Sequence, residues 1–409
     1  MITFTIVARN YLSLAYTLAE SYSRHHQGSV LIIVADGLEG VTPPAGVRVE
    51  PASAHIDAAE FEDLALKYNI TEFCTAVKPY VFKTLFAHHP GAKVMYLDPD
   101  TYVMAPLDYV RQALDSSDIV LTPHLLECRV EHDHTYPEYK HLWEGIFNLG
   151  FAALKDSTAA RKLVDWWIVR LRDYCYADRW DGLHTDQKWM DYIPGYFPQQ
   201  LHVSTHAGLN TAHWNLDERP LSRHDDVYHA GKDPLLLFHF SGCDFKGRRL
   251  TKYSAQESQG VRDSALNDLL QEYVDAVMKN GYEQNISIPY KYNTFDDGVA
   301  ITSLHRRLYR VLNPDHRFSN VLSAQGPFYR MLAAHGMLDL GAQAARNYTA
   351  STVSNLDRKR NAAERVMRML WRLLGPRKYS YLIKFFSIYG RFESHAFLLE
   401  PESARTNTR

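Results

Sequence analysis

Short apolar runs alternate with segments of helical periodicity through the first 250 residues of the chain. The apolar runs predict buried strands, and apolar side chains spaced three or four positions apart predict the intervening helices. The predicted strands are 2–8, 30–35, 93–97, 118–122, 146–154 and 235–240, and the predicted helices are 11–25, 72–88 and 158–174. Pro79 is expected to kink or divide the second helix. The alternation predicts an α/β fold with a mostly parallel sheet and helices on both of its faces.

The C-terminal part of the chain has a different pattern, in which helices dominate. Its clearest helix is 357–374, which Gly375 and Pro376 should end. One face of this helix is apolar and arginines surround it. We therefore divide the chain into a catalytic domain (1–255), a connecting segment (256–299) and a basic helical region (300–409).

Charge separates the same regions. The net charge of −2 is too small to predict nucleic acid as a partner. Residues 301–409, however, hold 18 Lys and Arg against 7 Asp and Glu. A basic amphipathic segment such as 357–386 can lie on an anionic membrane surface. Alternatively, its apolar face packs on the catalytic domain or on a second copy of the chain, as in a homo-oligomer.

Three further features bear on the compartment. The four cysteines contain no CxxC pair, so they predict neither a disulfide framework nor a zinc site. The N-terminal residues enter a predicted strand at once and lack the features of a secretion signal. No apolar run is long enough to span a bilayer. We expect a cytoplasmic protein, with the inner face of the membrane as the surface that the basic tail would meet.

The strongest chemical signal is the pair Asp98 and Asp100, which directly follows a predicted strand. In such sheets, ligands bind beyond the carboxyl ends of the strands. Two carboxylates this close repel each other unless a cation lies between them. Oxygen ligands suit Mg²⁺ or Mn²⁺, which would stabilise the charge on a departing diphosphate. The alternative is a simple turn, since Asp and Pro are common turn residues.

Other polar residues lie at predicted strand ends. His239 could be a metal ligand, Gly242 permits close approach to a phosphate, and Lys246 could neutralise that phosphate. His239 could equally be a core histidine. The first two predicted strands end near Ala8-Arg9-Asn10 and Asp36.

Two more motifs fall between these strand ends. Asp186 and Gln187 would suit sugar hydroxyls, or Asp186 could cap a helix. Asn148 and Gly150 interrupt an apolar strand, which indicates a close ligand or a β-bulge. The long polar segment 124–145 is a candidate lid or acceptor-binding loop.

Taken together and in this order, the motifs resemble those of GT-A-fold glycosyltransferases, closest to the retaining enzymes of glycosyltransferase family 8 and their bacterial surface-polysaccharide relatives. The resemblance covers roughly residues 1–255. It implies a nucleotide-sugar donor, most often UDP-linked, a Mn²⁺ or Mg²⁺ ion, and a glycan, lipid-linked or protein acceptor.

The resemblance also implies a role for each matching residue. Asp98, Asp100 and His239 would hold the metal, and Lys246 and Gly242 would contact the diphosphate. Asp186 and Gln187 would be the catalytic residues, at the donor sugar near the reacting carbon. The remaining donor contacts would come from Ala8, Arg9, Asp36, Lys78 and Asn148. Lys246 lies one position further from the histidine than in the family, so Arg248 or Arg249 could replace it. Lys188 stands where the family usually has a third acidic residue.

Retaining enzymes of this type are thought to use front-face displacement, in which the leaving diphosphate helps to deprotonate the acceptor. An inverting enzyme would instead need a carboxylate base, for which Asp186, Glu127 and Asp191 are candidates. A nucleotidyltransferase should show a Gly-rich loop after the first strand, where this chain has Ala8-Arg9-Asn10. A non-catalytic scaffold with the same fold is the remaining alternative.

Overall fold

A computed structural model of the chain describes residues 1–128, 137–251, 264–338 and 356–399. The chain divides into two compact units. The first comprises Met1–Ala58 and Ile70–Tyr290, and the second comprises Ala59–Asn69 and Lys291–Arg409. The second unit thus takes a short internal segment in addition to the C-terminal part. Residues 264–290, within the predicted connecting segment, lie in the first unit.

The first unit is built on a seven-stranded sheet. In chain order, the strands described are β1 (Ile2–Val7), β2 (Leu31–Val34), β3 (Arg48–Pro51), β4 (Lys93–Leu97), β5 (Thr101–Val103), β6 (Ile119–Pro123), β7 (Phe147–Lys155), β8 (Ala177–Asp178), β9 (Leu183–His184), β10 (Leu201–Val203), β11 (Thr211–Ala212), β12 (Leu221–His224), β13 (Val227–Ala230), β14 (Asp233–Pro234), β15 (Leu237–His239), β16 (Cys243–Asp244) and β17 (Arg249–Leu250). The main sheet has the order β10-β6-β7-β4-β1-β2-β3. Only β7 runs antiparallel to its neighbours, so the mostly parallel sheet is confirmed.

The helices agree with the predicted ones in most of their bounds. They are α1 (Leu12–Ser23), α2 (Ala58–Lys67), α3 (Ile70–His88), α4 (Asp108–Ser116), α5 (His141–Glu144), α6 (Thr158–Tyr174), α7 (Ile193–Tyr196), α8 (Ser264–Lys279), α9 (Tyr282–Ile286), α10 (Ser303–Leu312), α11 (Pro327–Ala334) and α12 (Leu356–Tyr389). Helix α3 runs through Pro79 without being divided. Both neighbours of Pro79, Lys78 and Tyr80, are buried, and tertiary packing keeps the chain helical there.

Helices cover both faces of the main sheet, as predicted. On one face, Phe4 of β1 meets Phe82 of α3 edge to face at 5.0 Å, and Phe82 lies beside Trp167 of α6. On the opposite face, side chains of the sheet pack with α1 and α4 in one buried cluster. This cluster includes Val7, Leu18, Ile32, Val34, Leu97 and Val110. The alternation of side chains along each strand supplies both faces.

A second, three-stranded sheet lies beside the ends of the main strands and has the order β11-β15-β5. Strand β15 pairs antiparallel with β5, so that His239 lies opposite Thr101. Strand β5 begins directly after Asp100. This pairing brings the end of a late strand to the residues that follow β4.

A buried arginine joins separate segments of the second unit by hydrogen bonds. Arg306 of α10 donates hydrogen bonds to the carbonyl oxygens of Ala65, Leu66, Tyr68 and Tyr292. Apolar side chains from the same segments form the core around it. These include Leu66, Phe295, Leu308, Tyr309, Phe328 and Leu332. The arginine therefore satisfies the backbone at the end of α2 that would otherwise lack donors.

Helix α12 is interrupted at Gly375, whose φ of 70° lies outside the helical region. The predicted end of the helix at Gly375 and Pro376 is confirmed, and a second helical arm follows. Within the described ranges, no helix has the length and apolar character needed to cross a membrane.

Replacing Arg306 by Met should destabilise the second unit by about 3 kcal/mol. Methionine cannot donate a hydrogen bond, so buried carbonyls would lose their partner. Hydrogen exchange of the α2 and α10 amides measures the effect and should become faster. Arg330→Met, at an exposed arginine of α11, is the matched control. Equal exchange in the two variants would contradict the structural role of Arg306.

Candidate metal and donor site

Three side chains of metal-ligand type converge at the carboxyl edge of the main sheet. Asp98 follows β4, Asp100 precedes β5, and His239 ends β15. His239 Nε2 lies 3.1 Å from Asp100 Oδ1 and 3.7 Å from Asp98 Oδ2. One atom from each of the three side chains lies within 4.8 Å of the others. The arrangement can enclose one cation with two oxygen ligands and one nitrogen ligand.

The charge on Asp98 is costly where it lies. Burial raises the pKa of Asp98, and the nearby charge of Asp100 raises it further. Lys78, His239 and a hydrogen bond donated by Tyr96 Oη to Asp98 Oδ1 at 2.5 Å lower this pKa and offset part of the shift. The net direction is upward, so the protein alone does not fully stabilise the carboxylate. A cation between Asp98 and Asp100 would do so.

Asn210 fixes the orientation of the His239 ring. Its amide nitrogen donates to Thr122 Oγ1 at 2.8 Å and to Asn148 Oδ1 at 3.0 Å. Its amide oxygen therefore faces His239 Nδ1, at 3.2 Å. Because an amide oxygen only accepts, Nδ1 carries a proton, and Nε2 is the ring atom that faces the two carboxylates. A ring that keeps its proton on Nδ1 can bind a metal through Nε2.

Gly150 leaves the space that the His239 ring occupies. A Cβ atom at position 150 would lie 2.7 Å from His239 Nδ1 and closer still to Cε1. The amide of Gly150 also donates to Asn148 Oδ1, at 3.0 Å. The Asn-x-Gly motif thus supports the histidine. The pairing of β6 with this strand also shifts register between Leu121 and Pro123, so the ladder is irregular beside the motif.

Lys78 connects two parts of the site. It is almost fully buried, and its Nζ lies 4.1 Å from the centre of the Tyr96 ring. It donates to Asp186 Oδ2 at 2.5 Å and to the carbonyl of Leu149 at 2.9 Å. Its charge acts on Asp98 too. Lys78 therefore lies between the buried carboxylate of Asp186 and the partly exposed carboxylate of Asp98, and its charge acts on both.

The residues expected at the donor sugar are both engaged with the protein. Asp186 forms the ion pair with Lys78 and is buried. Gln187 accepts from the amide of Leu149 at 3.1 Å and donates to the carbonyl of Glu144 at 2.6 Å. In this structure Gln187 ties β7 to the end of α5. Its role toward a sugar stays a prediction.

The residues predicted to border the nucleotide lie at the ends of β1 and β2. Asp36 is fully buried and accepts from the backbone amide and from Nε of Arg9, at 2.8 and 3.3 Å. Ala8 is buried beside them. Tyr11 follows in the same turn, is 41% exposed, and has its pKa raised by burial and by the charge of Asp100. Tyr11 thus places an aromatic ring near the metal ligands.

The basic residues after His239 lie in a β-hairpin turn. Gly242 has a φ of 75°, which favours glycine, and its carbonyl accepts from Thr251. Lys246 is exposed in the turn between β16 and β17. Arg248 is bonded to Gln271 and Asp275 of α8, and Arg249 pairs with Asp244. In this structure Arg248 and Arg249 therefore bond to side chains of the protein itself, and their role at a diphosphate stays a prediction.

Of the three candidate bases, Asp191 accepts from the amide of Ile146 and from Lys188 Nζ, at 2.8 and 2.7 Å. Glu127 is exposed near the start of the polar segment 124–145. Residues 129–136 of that segment lie outside the described residues.

A second group of ligand-type side chains, His124, His141 and Glu144, lies at the two ends of that segment. Burial lowers the pKa of His124 to about 3, so this ring is neutral. Its Nδ1 donates to the carbonyl of Gly145 at 2.9 Å, and its Nε2 lies 3.4 Å from Asn148 Nδ2. A polar network therefore runs from His239 through Asn210 and Asn148 to His124.

Sequence reasoning did not assign roles to Tyr96, Asn210 or Trp214. The ring of Trp214 packs edge to face on His239, with centroids 5.3 Å apart. Asn210 has a φ of 59°, a left-handed conformation that asparagine tolerates. The sequence marks Asn210 and Trp214 only as part of a polar Asn-Thr pair with an aromatic residue after it. Such pairs are common in loops and do not by themselves indicate a site.

Comparison with known proteins gives remote likenesses. No family model matches the chain. The uncharacterized protein YfnF of Bacillus subtilis is 24% identical over 245 residues, which is 58% of this chain and 80% of YfnF.

Two solved structures with similar folds are glycosyltransferases. The galactosyltransferase LgtC is 15% identical, with a TM-score of 0.41 over 71% of this chain and 99% of LgtC. Mouse xyloside xylosyltransferase 1 is 14% identical, with a TM-score of 0.37 over 58% of this chain and 96% of that protein. TM-scores this low do not identify a function, which must come from the residues of the chain itself.

Gly150→Ala should weaken Mn²⁺ binding about 10–100-fold, the usual effect of disturbing a residue that supports a metal ligand. The added methyl group would push the His239 ring away from Asp98 and Asp100. Isothermal titration calorimetry measures the affinity. Gly195→Ala is the control, because a Cβ there meets nothing within 4 Å. Equal affinity in the two variants would show that His239 does not depend on this space.

Asp98→Asn should raise the Tm of the metal-free protein by a few degrees at neutral pH. A raised pKa means that the charged form of Asp98 opposes folding above the ordinary pKa of Asp, and Asn removes this charge. As pH falls through the raised pKa, the wild-type protein recovers this stability by protonation. The difference in Tm should therefore shrink toward acid. Thermal scans in EDTA test this, and a constant or reversed difference would refute it.

Proposed function

We propose that this chain is a metal-dependent glycosyltransferase of the GT-A type, which transfers a sugar from a nucleotide-diphosphate sugar to a glycan, lipid-linked or protein acceptor. The observation that carries the proposal is the convergence of Asp98, Asp100 and His239 at the carboxyl edge of the sheet. An acidic pair after a strand could have been a turn. A histidine whose Nε2 faces that pair, with its Nδ1 proton held by Asn210, supports a cation site.

The donor set fits a divalent cation. Carboxylate oxygens suit Mg²⁺ and Mn²⁺, and one imidazole nitrogen is compatible with Mn²⁺ in particular. When bound, such an ion neutralises the negative charge that builds up on a leaving diphosphate. Asp98, Asp100 and His239 would hold it.

The nucleotide is proposed to lie toward the ends of β1 and β2. The Arg9–Asp36 pair closes the edge of the sheet there, and Tyr11 offers a partly exposed ring near Asp100. An aromatic ring of this kind can pack on a nucleobase. We propose UDP as the nucleotide on family resemblance alone.

Transfer is proposed to proceed with retention of the anomeric configuration. The bond from the anomeric carbon to the diphosphate oxygen breaks, and the acceptor oxygen bonds to the same face. The acceptor proton passes to the departing phosphate oxygen. The Lys78 pair supports this route, because the carboxylate of Asp186 is buried and already accepts from an ammonium group at 2.5 Å, so it is not open to an acceptor hydroxyl.

The alternative is an inverting enzyme that uses Glu127 as its base. Glu127 is exposed, and its backbone amide is held by Glu218 at 3.2 Å, which fixes the start of the polar segment. A nucleotidyltransferase is disfavoured, because Ala8-Arg9-Asn10 replaces the Gly-rich loop that would cradle phosphates after β1. A non-catalytic scaffold would bind the nucleotide without turnover.

A donor-hydrolysis screen over UDP-, GDP- and ADP-sugars with Mn²⁺ or Mg²⁺ tests the proposal. We expect metal-dependent release of the nucleoside diphosphate from one class of donor. Asp98→Ala combined with Asp100→Ala should lower the rate by at least about 10²-fold, because the leaving charge loses its stabilisation. Asp165→Asn, at an exposed carboxylate of α6, is the control.

Failure to bind or turn over any nucleotide sugar would overturn the proposal, and metal-dependent binding without turnover would favour the scaffold. Proton NMR of the anomeric coupling in the transfer product distinguishes retention from inversion. Loss of activity in Glu127→Gln together with an inverted product would support the inverting alternative.

A further inference from the structure

The C-terminal helix α12 consists of two arms, 356–374 and 376–389, which we call the helix pair. The break at Gly375 turns the second arm back, so that the rings of Trp371 and Tyr379 meet with centroids 5.2 Å apart. Tyr379 Oη also donates to Met367 Sδ at 3.5 Å. The two arms therefore present their side chains together.

Large apolar side chains of both arms are exposed. Leu373 is 73% exposed, Ile388 62% and Phe386 56%. The same holds for Val366, Met367, Met369, Trp371, Tyr381, Phe385 and Tyr389. A continuous run of exposed side chains of this kind exceeds the scattered apolar residues of an ordinary protein surface.

The helix pair is also strongly basic. Residues 356–389 contain nine Lys and Arg against two Asp and Glu. On the first arm, Arg365, Arg368 and Arg372 follow helical spacing and lie on the side away from Val366, Leu370 and Leu373. The arm is amphipathic, with one apolar and one cationic side.

We propose that the helix pair docks on the surface of an anionic lipid bilayer. A helix with a basic face and an apolar face that carries Trp and Phe lies in the headgroup region, with its apolar side in the acyl boundary. Each basic side chain adds attraction to anionic headgroups. A spanning helix is not needed, in agreement with the lack of one among the described residues.

Charge argues against a second copy of the chain as the occupant. In a symmetric dimer the same patch would face itself, and two surfaces with the same excess of positive charge would repel. An anionic bilayer instead offers opposite charge and an apolar layer over the full length of both arms.

The helix pair is fixed to the rest of the second unit at its C-terminal end. His395 and Ser394 bond to the carbonyl oxygens of Tyr389 and Ile388, at 2.8 and 2.6 Å. Ala396 and Leu399 then enter the core of that unit. Docking would therefore hold the folded unit at the membrane.

Co-sedimentation of the full chain with vesicles tests this proposal independently of any transferase activity. The vesicles are phosphatidylcholine alone or phosphatidylcholine with one quarter phosphatidylglycerol. We expect binding to the phosphatidylglycerol vesicles only, and weaker binding as salt is raised, because the attraction is screened.

Two variants separate charge from apolar insertion. Combined Arg365→Gln, Arg368→Gln and Arg372→Gln should weaken binding at least about tenfold. Combined Trp371→Ser, Phe385→Ser and Phe386→Ser should weaken it by a similar factor, with less change in its salt dependence. The control removes three exposed charges of the first unit, through Arg48→Gln, Lys83→Gln and Lys279→Gln, and should bind as the wild type does.

Absence of vesicle binding would overturn the proposal, and so would equal losses in the control and the arginine variant. Light scattering that shows a dimer abolished by the Trp371 and Phe substitutions, without vesicle binding, would assign the surface to a second copy instead.

Discussion

The close approach of Asp98, Asp100 and His239 is the interaction on which the site in the first unit depends. Two carboxylates and the Nε2 atom of His239 face one another within 4.8 Å, and burial raises the pKa of Asp98. Such an arrangement opposes folding unless charge is supplied. Lys78 and Tyr96 supply part of it from the protein. A bound cation would supply the remaining positive charge. The closeness of the two carboxylates therefore both destabilises the empty site and suits it to the proposed function.

The antiparallel strand β7 makes this geometry accessible. Because β7 runs opposite to β4 and β6, its first residues lie at the edge where those strands end. Asn148 and Gly150 are therefore placed beside His239, where one positions Asn210 and the other leaves space for the ring. In a parallel strand, residues so early would lie at the far edge of the sheet.

Local patterns predicted most of the elements and the strand-end positions of Asp98 and Asp100, because strands, helices and strand-end carboxylates are marked by adjacent residues. Asn210 escaped prediction, since its left-handed backbone and its contact with His239 arise from distant parts of the chain. Arg306 did too, because the carbonyls that it binds lie about 240 residues earlier. Of the two outcomes expected at Pro79, a kink or a division, the division does not occur, because packing keeps Ile70–His88 one helix. Gln187 shows a further limit: its residue type did not predict that both ends of its amide bond to the backbone.

His239 bears on the choice of metal. Asp98 and Asp100 alone would suit Mg²⁺ and Mn²⁺ equally, because both ions prefer carboxylate oxygen. Mg²⁺ demands near-ideal octahedral geometry and dehydrates reluctantly, so a buried imidazole held by Asn210 and packed on Trp214 is a poor ligand for it. Mn²⁺ lies on the Irving–Williams series and accepts nitrogen more readily. Under the proposed function, a histidine fixed in this way would therefore favour Mn²⁺ over Mg²⁺, and the network behind it would serve that selection as well as the shape of the site.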